Sequence, residues 1–134
     1  MRGLFALCCS LAALMGPGAG LADSIQTCRA LKEQRDALAN EAMRAEINLA
    51  RRYRHQHCPV LNNRAEQANA NSREFEAIDY RALLQCREAA ERQLERDNAV
   101  LYRNRLGFTF YSPAGSDAAR RADQVQEHLQ GCGV

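Results

Sequence analysis

The chain has 134 residues, of which 25% are charged, and its 18 basic and 16 acidic side chains leave a formal net charge of only +2. This balance excludes the strongly single-signed surface that binding to nucleic acid or to an anionic membrane requires. Aromatic residues make up 6% and tryptophan is absent. Because no run of β-branched residues occurs, the composition favours helices over a sheet.

The first 22 residues have the features of a secretory signal peptide. Arg2 supplies the positive charge, an uncharged apolar run follows it, and small residues precede a cleavage site before Asp23. The apolar run is shorter than the ~20 residues that cross a bilayer, and no later segment is apolar enough to do so. We therefore predict that residues 1–22 are cleaved, and that residues 23–134 form one small domain that is not inserted in a membrane.

A first long helix is predicted from Ile25 to Gln56, with Ser24 as its N-cap. Apolar side chains recur there at the spacing of one helix face. This first stripe consists of Leu31, Leu38, Ala42, Ala45, Leu49 and Tyr53. Pro59 follows the predicted end, and arginines near that end suit the helix dipole.

Residues 59–72 are predicted to form a connection, because their asparagines favour turns and caps over helix interiors. A second long helix is predicted after Ser72, ending at Leu106 with Gly107 as its C-terminal cap. Its stripe comprises Leu83, Cys86, Ala90, Leu94 and Leu101, supported by Phe75, Ile78 and Val100. Two long antiparallel helices joined by a loop form a helical hairpin.

The densest aromatic cluster follows the second helix and consists of Phe108, Phe110 and Tyr111. Aromatic side chains that a rigid scaffold displays on a loop provide a protein-binding surface. The alternative is that they cover the open end of the hairpin and belong to its core. The cluster is therefore the candidate interface of this protein.

A third, shorter helix is predicted from Asp117 to Gln130, after a turn that contains Pro113. Ser116 is its predicted N-cap. Val125 and Leu129 are its predicted apolar contacts with the hairpin.

Residues 23–134 retain four cysteines, which in a small exported domain indicates two disulfides. They are Cys28, Cys58, Cys86 and Cys132. Cys28 and Cys58 cannot pair, because a helix ~45 Å long separates them and a disulfide needs Cα atoms within ~7 Å. The hairpin favours Cys28–Cys132 with Cys58–Cys86, and the pairing Cys28–Cys86 with Cys58–Cys132 stays open.

A cluster of His55, His57 and Cys58 has ligand types that suit zinc or copper(I). Neighbouring arginines repel a cation, however, and Cys58 is needed for a disulfide. We therefore predict no bound metal or other cofactor. A periplasmic metal-binding or metal-delivery protein that uses these three residues is kept as the alternative.

Motifs of catalysis are missing from the sequence, which contains no phosphate-binding loop, zinc-protease motif, nucleophile elbow or Cys-X-X-Cys pair. We therefore predict no catalytic residue and do not expect an enzyme. Lys32 is the only lysine among 18 basic residues; this bias, together with the signal peptide, indicates a bacterial periplasmic or secreted protein.

The sequence as a whole predicts an all-α fold, in which an antiparallel hairpin of two long helices and a short C-terminal helix are stapled by two disulfides. Its predicted function is that of a non-enzymatic interaction module that binds another envelope or secreted protein. Because a lone hairpin leaves apolar surface exposed, association of two copies into a four-helix homodimer is a natural extension.

Overall fold

The computed structural model describes residues 19–70 and 79–133 and confirms the all-α class. Its helices are α1 (Ala19–His57), α2 (Pro59–Ala70), α3 (Tyr80–Asp97) and α4 (Pro113–Leu129), followed by a 3₁₀ turn over Gln130–Cys132. A small hairpin of β1 (Tyr102–Arg103) and β2 (Thr109–Phe110) lies between α3 and α4. Most of the predicted signal peptide and the predicted start of the second helix, with Ser72, Phe75 and Ile78, lie outside the described residues.

The long helix α1 confirms the first predicted helix and its stripe. Leu38, Ala42 and Leu49 are buried, and the other three members of the stripe are half-buried. The helix ends one residue beyond the predicted end, but it begins upstream, so that Ser24 lies inside it rather than capping it. No helix within the described residues is long and apolar enough to span a membrane.

The predicted connection after Pro59 is instead the helix α2. Proline is suited to the first position of a helix, where its missing N–H is not needed. Asn62 is of a residue type that favours turns locally, but here it is buried in a helix with its amide nitrogen and its amide oxygen both hydrogen-bonded. Its amide nitrogen donates to the carbonyl oxygen of Arg54 at 2.6 Å, and its amide oxygen accepts from the Arg87 guanidinium at 3.0 Å. Tertiary hydrogen bonds thus override the local preference of asparagine.

Helix α3 packs antiparallel to the C-terminal part of α1. The hydroxyl of Tyr53 on α1 donates to Asp97, at the end of α3, at 3.3 Å. Cys58, which follows α1, is bonded to Cys86 in α3. Since chain numbers rise from 53 to 58 on one side and fall from 97 to 86 on the other, the two elements run in opposite directions.

The second predicted helix is shorter than expected, because α3 ends at Asp97 rather than at Leu106. The backbone N–H and the side-chain amide of Asn98 both donate to the carbonyl oxygen of Leu94, at 3.0 and 2.8 Å. The backbone bond is the last i→i−4 bond of α3, and Asn98 itself has extended backbone angles (φ −122°, ψ 133°), so the helix does not continue beyond it. Val100 and Leu101 are therefore not members of a buried helical stripe, and about half of each is exposed.

The β-hairpin occupies the segment where the second helix was expected to continue. Tyr102 pairs with Phe110, and Arg103 pairs with Thr109. The side-chain oxygen of Asn104 accepts from the backbone N–H groups of Leu106 and Phe108, at 3.1 and 2.9 Å, and so organises the turn. Gly107 was predicted as a helix cap; it has the positive φ (87°) typical of such a cap, but it serves this turn.

Helix α4 packs antiparallel to the N-terminal part of α1 and has a more extensive contact with it than α3 has. Its N-cap is Ser112, whose hydroxyl accepts from the N–H of Gly115 at 2.9 Å. Ser116, the predicted cap, is instead buried in the second turn of the helix. Val125 and Leu129 are buried as predicted. With 17 residues, α4 is nearly as long as α3, which has 18.

The two disulfides are Cys28–Cys132 and Cys58–Cys86, with Cα atoms 5.9 and 6.0 Å apart, so the favoured pairing is confirmed. The arrangement of α3, the β-hairpin and α4 along α1 explains this disulfide pairing. Helices α3 and α4 follow each other along α1 in the same direction, and the β-hairpin lies between them. The chain after α4 therefore reaches the N-terminal third of α1, where Cys28 lies.

We expect Gly115→Ala to destabilise the protein by ~1–3 kcal/mol, the usual cost of overpacking. A Cβ atom at this position would lie 2.5 Å from the Ser112 hydroxyl and 2.8 Å from a carboxylate oxygen of Glu46. That oxygen accepts from the backbone N–H groups of Tyr111 and Ser112, at 3.1 and 2.7 Å. The added methyl group would thus disturb the whole start of α4.

Urea denaturation measures this effect, and Gly131→Ala is the matched control. No atom lies within 4 Å of the Cβ position at Gly131. Equal denaturation midpoints for the two variants would contradict the close packing of α1 against the start of α4.

Candidate functional site

A groove of about 640 Å³ lies between α1, α4 and the turn of the β-hairpin. Four alanines leave space between the two helices, namely Ala39, Ala42, Ala119 and Ala122. Larger apolar side chains also line the groove, namely Met43, Leu106, Phe108 and Phe110. Polar residues complete the lining, namely Arg35, Asp36, Asn104, Arg105, Asp123 and Gln126. The volume is in the range of ~300–1,000 Å³ that is typical of ligand pockets.

The structure divides the predicted aromatic cluster between core and surface. Phe110 is only 2% exposed and packs against Ala42 and α4, whereas Phe108 is 54% exposed. Both rings line the groove, since they are two residues apart on one arm of the hairpin and so lie on the same face. Tyr111 falls on the other face, is half-buried and does not line the groove.

Exposed apolar side chains surround the part of the groove that is open to solvent. Leu106 is 81% exposed and Met43 is 42% exposed, and Phe108 lies between the apolar lining and solvent. Neither Leu106 nor Met43 was predicted from the sequence as a residue of the binding site. The signal for Met43 is the spacing of four residues from Ala39, which forms a second apolar row beside the main stripe of α1.

One carboxylate fixes the hairpin turn against α4. Oδ2 of Asp123 accepts from the hydroxyl of Tyr102 at 2.7 Å and from the backbone N–H of Arg105 at 3.0 Å. The guanidinium of Arg120 lies 5.2 Å from the centre of the Tyr102 ring, within reach of a cation–π contact. The turn that carries Leu106 and Phe108 is therefore held on α4, and the groove is preformed.

The hydrogen bond to Asp123, and then burial, raise the pKa of Tyr102 above its ordinary value of 10.0. The neutral phenol donates to the carboxylate, whereas its ionisation would bring two negative charges together. Since the folded pKa lies above the unfolded one, this contact contributes stability that is fully present below pH 10. It is lost as the pH rises through the raised pKa.

An absorbance titration of the phenolate band measures this shift. Subtracting the titration curve of Tyr102→Phe from that of the unaltered protein isolates the Tyr102 hydroxyl. We expect the midpoint of this difference curve above pH 10.0. Asp123→Asn should move that midpoint down, because it removes the negative charge. A midpoint at or below the ordinary tyrosine value in the unaltered protein would contradict the contact.

The residues of the alternative metal site lie at the C-terminal end of α1. His55 is half-buried, and His57 is exposed and stacks on Tyr53 with ring centres 6.0 Å apart. The sulfur of Cys58 is bonded to Cys86 and is therefore not a thiolate. Within the described residues, no group of three His, Cys, Asp or Glu side chains is placed to hold a metal ion.

Comparisons of the chain with models of known families, with curated proteins and with solved structures found no match.

Proposed function

We propose that this protein is an exported, non-enzymatic module of the bacterial envelope, which binds another envelope or secreted protein through the groove between α1, α4 and the hairpin turn. The observation that carries the proposal is this preformed apolar groove, with Leu106 81% exposed and Phe108 54% exposed beside it. The Cys28–Cys132 disulfide links α1 to the turn that follows α4, and so joins two of the elements that form it.

Export is supported by the signal-peptide pattern of residues 1–22 and by the disulfides. Disulfides persist in oxidising compartments and are rare in the cytosol of mesophiles. Cys28–Cys132 joins α1 to the turn after α4, and Cys58–Cys86 joins the residue after α1 to α3. A periplasmic or secreted location would keep them intact.

Binding of a protein is supported by the arrangement of the apolar side chains. Large exposed apolar side chains that adjoin one another mark interaction surfaces on soluble proteins, whereas scattered ones do not. Met43, Leu106 and Phe108 line one groove, and an aromatic anchor is typical of the residues that dominate binding energy. The Asp123 contacts hold the turn in place, so little conformational entropy is lost on binding.

A photo-crosslinking amino acid at position 108, introduced in the native host, tests this proposal. Position 103 is the matched control, because Arg103 is exposed and lies on the opposite face of the hairpin from Tyr102. We expect one specific adduct from position 108 and none from position 103.

The crosslinked partner, once purified, then provides a quantitative test. Phe108→Ala should weaken its binding by at least about tenfold, as expected for a central aromatic anchor. Arg103→Ala should leave the affinity unchanged. Equal adducts from both positions, or an affinity that Phe108→Ala does not change, would rule out the groove as the binding site.

A further inference from the structure

The charged side chains at the groove do not all have partners, and this difference constrains what the groove binds. The guanidinium of Arg35 binds Asp36 through two nitrogens, at 2.9 and 2.7 Å, and Gln126 through the third at 2.7 Å. The carboxylate of Asp123 accepts from Tyr102 and from a backbone N–H. Both carboxylates that line the groove are therefore already engaged within the protein.

Arg105 is the remaining charged residue of the groove lining, and its side chain is unpaired within the described residues. Its backbone N–H is bound to Asp123, but its guanidinium forms no hydrogen bond or ion pair within the described residues. The side chain is exposed and directly precedes Leu106 in the turn. An apolar groove with one unpaired cation beside it is complementary to an apolar group with an adjacent negative charge.

We propose that the groove binds a peptide segment of another exported protein in which a large apolar side chain has an aspartate or glutamate close to it. The apolar side chain inserts between the alanines of α1 and α4, in contact with Phe108. The acidic side chain pairs with the Arg105 guanidinium, which can bind a carboxylate through two nitrogens. This inference rests on the proposed function and specifies the partner's chemistry at the same site.

A second copy of this chain fits the groove less well than such a segment. In a two-fold dimer, each subunit presents the same surface patch to the other. Insertion of the hairpin turn into the groove of a second copy would carry Arg105 with Leu106, and would bring the two unpaired cations together. Like charges placed together at an interface oppose association.

Selection from a displayed library of random dodecapeptides tests the proposal, with the disulfide-bonded protein purified from a periplasm as the target. We expect enriched peptides to share an apolar anchor with an adjacent acidic residue. Binding of these peptides should weaken at least about tenfold in Phe108→Ala. No enrichment, or enrichment without acidic residues, would overturn the proposal.

Charge reversal at position 105 tests the ion pair directly. Arg105→Glu should weaken the selected acidic peptides at least about tenfold and should favour versions in which the acidic residue is replaced by lysine. The matched control is Arg103→Glu, which reverses the same charge on the opposite face of the hairpin and should change neither affinity. Equal effects of the two reversals would indicate a long-range charge effect and would overturn the ion pair.

The outcomes separate this inference from the proposed function. Peptides or partners whose binding depends on Phe108 but not on the charge at 105 would remove the acidic-segment rule and leave the groove as the interface. Binding that is insensitive to Phe108→Ala would remove both. A dimer in sedimentation analysis that Phe108→Ala dissociates would identify a second copy as the occupant and overturn the proposal.

Discussion

Loss of both disulfides is expected to abolish the cooperative unfolding transition of this protein. Cys28–Cys132 joins residues separated by 104 positions and Cys58–Cys86 residues separated by 28. In the loop-entropy description, closing loops of these lengths contributes about 4–5 and 3–4 kcal/mol. Domains are typically stable by only ~5–15 kcal/mol. The contribution of the two bridges is therefore comparable with the whole stability.

The packing of α1 against α4 also indicates that the stability of the protein depends on its disulfides. Four of the eight buried apolar residues described on α1 and α4 are alanines, and Phe110 and Leu129 are the largest fully buried side chains among the described residues. Small side chains bury little apolar area, so the hydrophobic contribution per residue is low. The packing of α3 and α4 against α1 therefore depends strongly on the two disulfides.

Circular dichroism during thermal unfolding measures this effect, in oxidised protein and in variants that lack one bridge or both. Removal of the Cys28–Cys132 pair should lower the melting temperature more than removal of the Cys58–Cys86 pair, because its loop is longer. The oxidised protein treated with an alkylating reagent alone is the control. An unchanged melting temperature with all four thiols shown to be reduced would contradict this account.

The length and the apolar face of α1 could be predicted from sequence because both depend on local spacing. Leu38, Ala42 and Leu49 recur at helical intervals and are buried. The disulfide pairing could also be predicted, since the length of α1 excluded one arrangement and the hairpin favoured another. These features need only the geometry of a helix and the direction of the chain.

The end of α3 and the position of the β-hairpin could not be predicted, because long-range contacts determine them. Asn98 ends α3 with a hydrogen bond from its amide to the hydroxyl of Tyr53, 45 residues away, in addition to its bonds to Leu94. The β-hairpin is held by Asp123, 21 residues after Tyr102. Neither partner is visible in a local pattern, and residues 98–106 contain enough helix-forming types for a helix to be expected.

The same distinction applies to the candidate site. The cluster of Phe108, Phe110 and Tyr111 stood out in the sequence, but its composition could not show which ring is buried. The two phenylalanines lie on the same face of the β-hairpin, and the helices decide which is buried: Phe110 packs against Ala42 and α4, whereas Phe108 is 54% exposed. Arg105 gains its significance only from the pairing of the other charges around it.

Phe110→Ala is expected to destabilise the protein by ~3–5 kcal/mol, whereas Phe108→Ala should change its stability by less than ~1 kcal/mol. The ring of Phe110 is 2% exposed and fills the space between Ala42 and two alanines of α4, with Tyr102 packed against the same cluster. Its removal leaves a cavity that these small residues cannot close. Phe108 is 54% exposed, so its ring has much less apolar area to lose.

The two variants form a matched pair, since they make the same substitution two residues apart on one arm of the hairpin. Urea denaturation should show a large loss of stability for Phe110→Ala alone, and the binding experiments should show a loss of affinity for Phe108→Ala in fully folded protein. A large loss of stability in both variants would place Phe108 in the core and remove the exposed aromatic anchor on which the groove depends. The opposite result, in which Phe110→Ala is tolerated, would show that the α1–α4 contact does not depend on this ring.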